Sequence, residues 1–181
     1  MLRCKKSQWE YCNFMKMLIS KIAVLTFIVS FYFSAVAHAE LVKGEAPNFT
    51  LKSLKGENIK LSEHRGEVIM LNFWATWCDK CKEGMPVLND MYLKYRDKGF
   101  TLLSINTDKE LKNVNKWLRG MRIAFPILFD EIHDASKKYE VDSMPATYIL
   151  DRDGHLRYIH NGFPDGYQDE FQKQVRELME E

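Results

Sequence analysis

The segment 68–98 constrains the fold of this chain more than any other part of its sequence. It begins with Val68–Trp74 (VIMLNFW), a nearly continuous apolar run that is typical of a strand buried on both faces. Apolar residues at helical spacing follow from residue 79 onward, and this pattern stops at Lys98-Gly99. A strand that is buried on both faces needs a packed layer on each side. The segment therefore predicts a sheet that carries helices on both of its faces.

The other segments extend this prediction along the chain. A hairpin is predicted at 48–54 and 59–61, a second buried strand at 100–106, a helix at 110–119, a short apolar stretch at 126–129, a short helix at 135–139, a second hairpin at 146–150 and 156–160, and a C-terminal helix at 165–181. Two strands joined through a helix pair in parallel by a right-handed crossover. We therefore predict one domain over residues 40–181 with a three-layer α/β fold, a central mixed sheet, helices on both faces and an N-terminal β-hairpin.

The first 39 residues have the features of an export signal. Lys16 and Lys21 precede Ile22–Ala37, a run without any charged residue, and Ala37-His38-Ala39 then forms the small-x-small pattern that a signal peptidase accepts. The uncharged run is shorter than the about 20 residues of a typical membrane span. We predict a signal peptide at residues 1–39, with an uncleaved N-terminal anchor as the alternative. Either form would place the domain in the periplasm or another extracytoplasmic compartment, free or anchored to the inner membrane.

The charge of the chain gives no reason to expect a nucleic-acid partner. Its formal net charge is +1. The first 39 residues hold five basic residues and one acidic residue, so the positive charge belongs to the leader. The remaining domain is mildly acidic.

The cysteines point to a chemical site and not to a structural cross-link. Cys4 and Cys12 lie in the leader, so the mature domain keeps only Cys78 and Cys81. A stabilising disulfide works mainly by closing a long loop in the unfolded chain, and a two-residue spacer closes almost nothing. We therefore expect this pair to react.

The position of the C-x-x-C motif indicates redox chemistry. Cys78 follows a predicted buried strand and stands where the next helix begins. Free backbone N–H groups and the helix dipole favour an anion at that place, so the thiolate of Cys78 is stabilised there. One helical turn then brings Cys81 within disulfide distance. We predict that Cys78 attacks and that Cys81 resolves.

Other uses of such a pair fit the sequence poorly. A structural zinc site needs about four ligands, and only Cys78 and Cys81 are available, without a histidine at ligand spacing. Covalent haem attachment requires C-x-x-C-H, and Lys82 occupies the last position of that motif. His155 and His160 are expected to be surface residues of a strand.

Four blocks of the sequence share their pattern with one protein family. They are Ser62-Glu63-His64-Arg65-Gly66, Val68–Cys81 (VIMLNFWATWCDKC), Pro86 and Val141–Gly154 (VDSMPATYILDRDG). In order and separation they resemble the TlpA/ResA-like thiol–disulfide oxidoreductases of the thioredoxin superfamily. The resemblance covers nearly all of the chain from about Phe49 onward, and it implies a thioredoxin-like fold for the domain.

The resemblance also adds residues to the site. It implies that Pro145 is the cis-proline that packs beside the active disulfide in this superfamily, where it would present the backbone of Met144 to an extended substrate strand. Pro86 resembles the proline that kinks the first helix. We also expect Trp77 to pack around the site and support it.

Two departures from the family bear on proton transfer. Asn72 stands where cytosolic thioredoxins have a buried Asp that helps to move the proton of the resolving cysteine. Exported relatives often carry a Glu three residues after the second cysteine, but this chain has Gly84 there, and Glu83 is expected to point to water. The proton acceptor for Cys81 stays unassigned.

The function implied by the resemblance is reduction of cysteine-containing protein substrates, either in cytochrome c maturation or in general. An exported reductant must be kept reduced across the membrane, so a membrane-embedded dithiol donor is an expected partner. No cofactor is expected beyond the redox-active disulfide Cys78–Cys81, and no metal.

Two other functions remain as alternatives. A thioredoxin-fold peroxidase uses a T-x-x-C motif, but Ala75 stands three residues before Cys78 and Thr76 is one residue out of place. The other alternative is a redox-inert binding or chaperone module, against which the intact Cys78 and Cys81 argue.

Overall fold

A computed structural model describes residues 44–181 of the chain. The signal peptide or anchor predicted at residues 1–39 lies outside this range. Within it, no helix combines the length and the apolar character that crossing a membrane requires.

The described chain forms seven strands and four helices. In chain order they are β1 (Thr50–Ser53), β2 (Asn58–Lys60), β3 (Val68–Trp74), α1 (Asp79–Tyr95), β4 (Phe100–Asn106), α2 (Leu111–Trp117), β5 (Ile127–Phe129), α3 (Asp134–Lys138), β6 (Ala146–Leu150), β7 (Leu156–Asn161) and α4 (Tyr167–Glu180). Single 3₁₀ turns occupy Leu61–His64 and Arg96–Lys98.

The seven strands form one mixed sheet in the order β2-β1-β5-β4-β3-β6-β7. β3 and β4 pair in parallel over their whole length, and β5 extends this parallel centre on the far side of β4. The flanking strands pair antiparallel. All residues of β3 and β4 are buried, as their apolar runs predict. The predicted mixed sheet with its N-terminal hairpin is confirmed.

Alternate residues of β3 belong to two separate cores, one on each face of the sheet. Met70 and Trp74 face a layer formed by α1, α2 and α4. Leu71 and Phe73 face the opposite layer, which includes α3 and the segment before β1. The three-layer α/β prediction is confirmed, and its thioredoxin-like character is taken up below with the known structures.

One strand residue is placed differently from its prediction. His160 was expected at the surface, but only 8% of it is exposed. Its ring packs against Phe171 of α4 with the centroids 4.8 Å apart, and its Nε2 lies 2.8 Å from Oε1 of Gln174. The reason is that α4 returns over this end of β7, which the pattern of β7 alone does not reveal. His155 is exposed, as predicted.

The turn between β6 and β7 is tied to the segments that precede β1 and β3. The backbone N–H of Gly66 donates to the carbonyl of Arg152, and the carbonyl of Gly154 accepts from Ala46 N–H. Gly154 has φ +79, and a Cβ atom there would coincide with the guanidinium of Arg65. Glycine is therefore required at 154 for its backbone and also for the space that Arg65 occupies.

A pair of glycine substitutions separates these two requirements. An alanine in the left-handed region costs about 1–2 kcal/mol, and this cost alone applies to Gly56→Ala, because Gly56 has φ +91 and open space around it. Gly154→Ala should lower the free energy of unfolding by about 1 kcal/mol more, since the guanidinium of Arg65 must also move. Urea unfolding of the two variants measures the difference. Equal losses would show that Arg65 does not restrict position 154.

Candidate active site

Cys78 and Cys81 are joined by a disulfide at the start of α1, with 5.3 Å between their Cα atoms. Cys78 is the N-cap residue of α1, and its sulfur accepts a hydrogen bond of 3.1 Å from the backbone N–H of Cys81. β3 ends at Trp74, so the pair lies where a fully buried strand passes into a helix. This is the position at which free N–H groups of a helix stabilise a thiolate.

The two tryptophans near the disulfide have opposite environments. Trp74 is fully buried and packs against Trp117 of α2, with ring centroids 4.6 Å apart. Trp77 is 71% exposed, although it immediately precedes Cys78. The expectation that Trp77 packs around the site is therefore wrong. Its side chain stands mostly in solvent, at a central position of the Ala75–Cys78 turn between β3 and α1.

Pro145 is preceded by a cis peptide bond from Met144, as the resemblance implied. Pro145 is buried at the start of β6, and its carbonyl accepts from Gly162 N–H at 2.6 Å. Met144 is partly exposed and packs against the core cluster that contains both cysteines. In residues 44–181, none of the backbone hydrogen bonds outside regular helices and strands involves Met144.

Asn72 lies in the middle of β3 and is 1% exposed. Its side-chain amide donates to the hydroxyl of Thr147 on β6 at 3.1 Å. The amide is thus used to join two strands, and an amide does not accept a proton from a thiol at neutral pH. Asn72 is therefore not the proton acceptor for Cys81, and that acceptor stays unassigned.

An aromatic ring occupies the space beside Gly84. Gly84 is buried on α1, and a Cβ atom there would overlap the ring of Phe163, which comes from the loop between β7 and α4. Phe163 stacks on Tyr167 with centroids 4.5 Å apart. Burial raises the pKa of Tyr167, and the nearby carboxylate of Glu83 raises it further. Position 84 thus carries no acid, and the aromatic rings of Phe163 and Tyr167 occupy the space beside it.

The charged residues of the C-x-x-C turn are exposed. Lys80 and Glu83 form an ion pair of 3.3 Å, with side chains 71% and 67% exposed. Glu83 points to solvent, as predicted, and Lys80 is engaged with it. Asp79, the residue after Cys78, is also exposed.

Asp108 is the contributor that sequence reasoning missed. Its carboxylate accepts from the backbone N–H of Thr76 at 2.8 Å and from the hydroxyl of Thr76 at 2.9 Å. The side-chain amide of Asn106 also donates to it, at 2.7 Å. The sequence did contain one signal for this contact. Thr76 follows β3 and Asp108 follows β4, and the carboxyl ends of two parallel strands meet at one edge of a sheet.

No group of three or more His, Cys, Asp or Glu residues between positions 44 and 181 is arranged to hold a metal ion.

Comparison with known proteins identifies the family. The family model described as AhpC/TSA matches residues 42–159. The chain is 32% identical over 145 residues to the thiol-disulfide oxidoreductase ResA of Geobacillus kaustophilus. The aligned region covers 80% of this chain and 83% of that protein. It is 34% identical over 125 residues to the ResA of Bacillus cereus, covering 69% of this chain and 72% of the relative.

A solved structure agrees with these relatives. A Chlorobium tepidum protein described as a thiol:disulfide interchange protein DsbE superposes with a TM-score of 0.73 at 33% identity, over 77% of this chain and 99% of that one. The thioredoxin-like fold that the sequence blocks implied is thereby confirmed. With a Cys78–Cys81 disulfide at a strand–helix junction, this chain belongs to the AhpC/TSA family and, within it, to the ResA-like thiol–disulfide oxidoreductases of the thioredoxin superfamily.

Proposed function

We propose that this protein reduces disulfides of protein substrates outside the cytoplasm, with Cys78 as the attacking thiol. The observation that carries the proposal is the placement of the Cys78–Cys81 pair at the N-terminus of α1, beside the exposed ring of Trp77. A protein substrate can reach this end of the helix, and the helix N-terminus favours the thiolate that must attack.

The reaction proceeds in two exchanges. The thiolate of Cys78 attacks one sulfur of the substrate disulfide, so a Cys78–substrate bond forms while the substrate S–S bond breaks and releases a thiolate. Cys81 then loses its proton and attacks the sulfur of Cys78, which releases the second substrate thiolate and closes the Cys78–Cys81 bond. Two electrons pass from the protein dithiol to the substrate, and the two thiol protons balance the two new substrate thiols.

The surroundings of the two sulfurs support this order of attack. Both sulfurs lie in one apolar cluster, with Cys78 6% and Cys81 2% exposed, but Cys78 alone is the N-cap residue of α1. Apolar burial disfavours a thiolate, whereas the N-cap position of Cys78 favours one. Cys81 should therefore keep its proton until the mixed disulfide has formed.

Substrate contact is proposed to use the backbone of Met144 and the ring of Trp77. Met144 precedes the cis Pro145 and takes no part in the backbone hydrogen bonds of the turns and loops within residues 44–181. An extended substrate segment could pair with it as an added strand. Trp77, the residue before Cys78, offers an exposed apolar surface to the same substrate.

The charges of the active-site turn favour a reductant over an oxidant. A dithiol becomes strongly oxidising when its nucleophilic thiolate is unusually stabilised. Here Asp79 places a like charge next to Cys78, and the ammonium of Lys80 is paired with Glu83 at 3.3 Å. The helix N-terminus is then the main influence that stabilises the thiolate. This supports a thiol pKa that is only moderately lowered and a reducing potential.

The compartment and the electron source follow from the leader. Its apolar run and the Ala37-His38-Ala39 pattern support export, by cleavage after Ala39 or by retention as an anchor. An exported reductant needs electrons from a membrane-embedded dithiol donor. Apocytochrome c, whose cysteines must be reduced before haem attachment, is the proposed specific substrate.

The peroxidase alternative has little support from the site. Ala75 stands three residues before Cys78, and the hydroxyl of Thr76 donates to Asp108 at 2.9 Å. That hydroxyl is directed to a carboxylate and is not available to a peroxide at the sulfur.

Single cysteine substitutions test the assigned roles. Cys78→Ser should abolish insulin reduction, because no other thiolate is placed at the helix N-terminus. Cys81→Ser should accumulate mixed disulfides, since the resolving thiol is missing, and mass spectrometry of the trapped complexes would identify substrates. In the reduced wild-type protein, alkylation of Cys78 should rise with a midpoint below about pH 8.5. Faster alkylation of Cys81 than of Cys78 would reverse the assignment.

A double-mutant cycle tests the contact between the ring of Phe163 and Gly84 of α1. Alanine is normally about 1 kcal/mol better than glycine inside a helix. Gly84→Ala should instead destabilise the protein by about 1–3 kcal/mol, because the new methyl group overlaps Phe163. In a Phe163→Ala background the same substitution should be stabilising. Urea unfolding of the four proteins gives the coupling energy, and the same effect of Gly84→Ala in both backgrounds would disprove the contact.

A further inference from the structure

The turn that carries the attacking cysteine is held in an unusual way. Ala75–Cys78 forms a four-residue turn closed by a hydrogen bond of 3.1 Å from Cys78 N–H to the carbonyl of Ala75. Thr76 and Trp77 occupy its two central positions. Because Trp77 is 71% exposed, packing of its side chain does not fix the turn. Ala75 and Cys78 at the ends of the turn are buried, so of its two central residues it is Thr76 that can be anchored.

Thr76 is anchored by Asp108. Both polar hydrogens of Thr76, on its backbone nitrogen and on its hydroxyl, point to the carboxylate of Asp108 at 2.8 and 2.9 Å. Hydrogen bonds to a carboxylate are among the stronger ones in proteins. The turn and Asp108 are 32 residues apart in sequence, so this is a tertiary contact and not a local one.

Asp108 is itself held by the end of β4. The side-chain amide of Asn106 donates to its carboxylate at 2.7 Å, and the side-chain oxygen of Asn106 accepts from the backbone N–H of Asp108 at 3.1 Å. Asn106 is fully buried, so it provides a fixed support. The carbonyl of Trp74 accepts from Thr107 N–H at 3.0 Å, from the Thr107 hydroxyl at 3.4 Å and from the amide of Asn106 at 3.5 Å. These contacts hold the end of β3 and not the turn.

We propose that Asp108 is a positioning residue that holds Thr76, and through it the turn bearing Trp77 and Cys78, in the orientation that a protein disulfide requires. The proposal rests on the function proposed above. A protein disulfide reaches the Cys78 sulfur while its own chain contacts the turn, so a turn that moves loses these positioning contacts even when the sulfur itself is unchanged. Without Asp108 the ends of the turn are still held by its closing hydrogen bond, by burial and by the disulfide, but its central residue Thr76 loses both of these hydrogen bonds. A protein substrate, which must contact Trp77 as well as Cys78, should suffer more than a small disulfide that needs the sulfur alone.

The variants Asp108→Ala and Asp108→Asn separate the loss of the hydrogen bonds to Thr76 from the loss of the negative charge. Asparagine can still accept from Thr76 N–H and can donate to the Thr76 hydroxyl, whereas alanine can do neither. Glu110→Ala is the matched control, because it removes a neighbouring exposed acid that makes no side-chain capping bond. We expect Asp108→Ala to lower kcat/KM for insulin reduction at least about tenfold, mainly through KM, and to change the rate with a small aromatic disulfide less than about threefold. Asp108→Asn should retain at least half of the insulin activity.

Amide hydrogen exchange of Thr76, followed by NMR, provides a readout that does not depend on the activity. Exchange should be at least about tenfold faster in Asp108→Ala than in the wild-type protein, and close to wild type in Asp108→Asn and Glu110→Ala. If the wild-type protein reduces neither disulfide, the proposed function fails while the exchange data still decide whether Asp108 holds the turn.

Three outcomes would overturn the proposal. Unchanged insulin kinetics in folded Asp108→Ala would do so, as would an equal loss with both disulfides, which would indicate a general defect. An Asp108→Asn variant as impaired as Asp108→Ala would assign the effect to charge. If Asp108→Ala does not fold, Thr76→Val replaces it as the test, because it removes only the hydroxyl bond. This variant should give a smaller rise in KM for insulin, and the absence of that rise would also overturn the proposal.

Discussion

β3 is buried on both of its faces, so its side chains need a packed layer above and below and its backbone needs a strand on each side. This requirement fixes the parallel pair with β4, the antiparallel pair with β6 and the three layers around them. It also fixes where the chain can next reach solvent, which is at the carboxyl end of the strand. The reactive pair lies there because α1 begins at that point, and the first turn of a helix is the place in such a fold where an anion is stabilised without a cationic side chain.

The two cysteines share one turn of helix but have different neighbours. On the inner side, Cys81 lies in an apolar core, and Phe163 occupies the space beside Gly84, so no acid stands at that position of the turn. On the outer side, a polar network of Asn106, Asp108 and Thr76 holds the turn that leads to Cys78. Both cysteines are buried, at 6% and 2% exposed, so it is the N-cap position of Cys78 that supports its proposed role as the nucleophile and that of Cys81 as the resolving thiol.

The sequence predicted those parts of the structure that depend on local patterns. The bounds of β3, β4 and β6 were predicted correctly, because each strand begins directly after a charged, glycine or proline residue and ends within two residues of a polar one. The ends of α1 and α4 were less accurate, since capping and 3₁₀ turns decide them. Residues whose position depends on a distant partner were missed: Asp108 supports a turn 32 residues away, and His160 is buried by a helix that returns over β7. The exposure of Trp77 was missed because an aromatic residue in an apolar block suggests burial, whereas the turn directs it outward.

The proposed function requires above all that the Cys78–Cys81 pair works as a reductant. Equilibration of the protein with glutathione buffers, followed by separation of the oxidised and reduced forms, measures its reduction potential directly. A pair stabilised mainly by a helix N-terminus, with Lys80 paired to Glu83, should have a potential nearer that of thioredoxin, below about −200 mV. A potential above about −150 mV, together with a protein that is mainly oxidised in cells, would contradict the account and assign the protein to the oxidases.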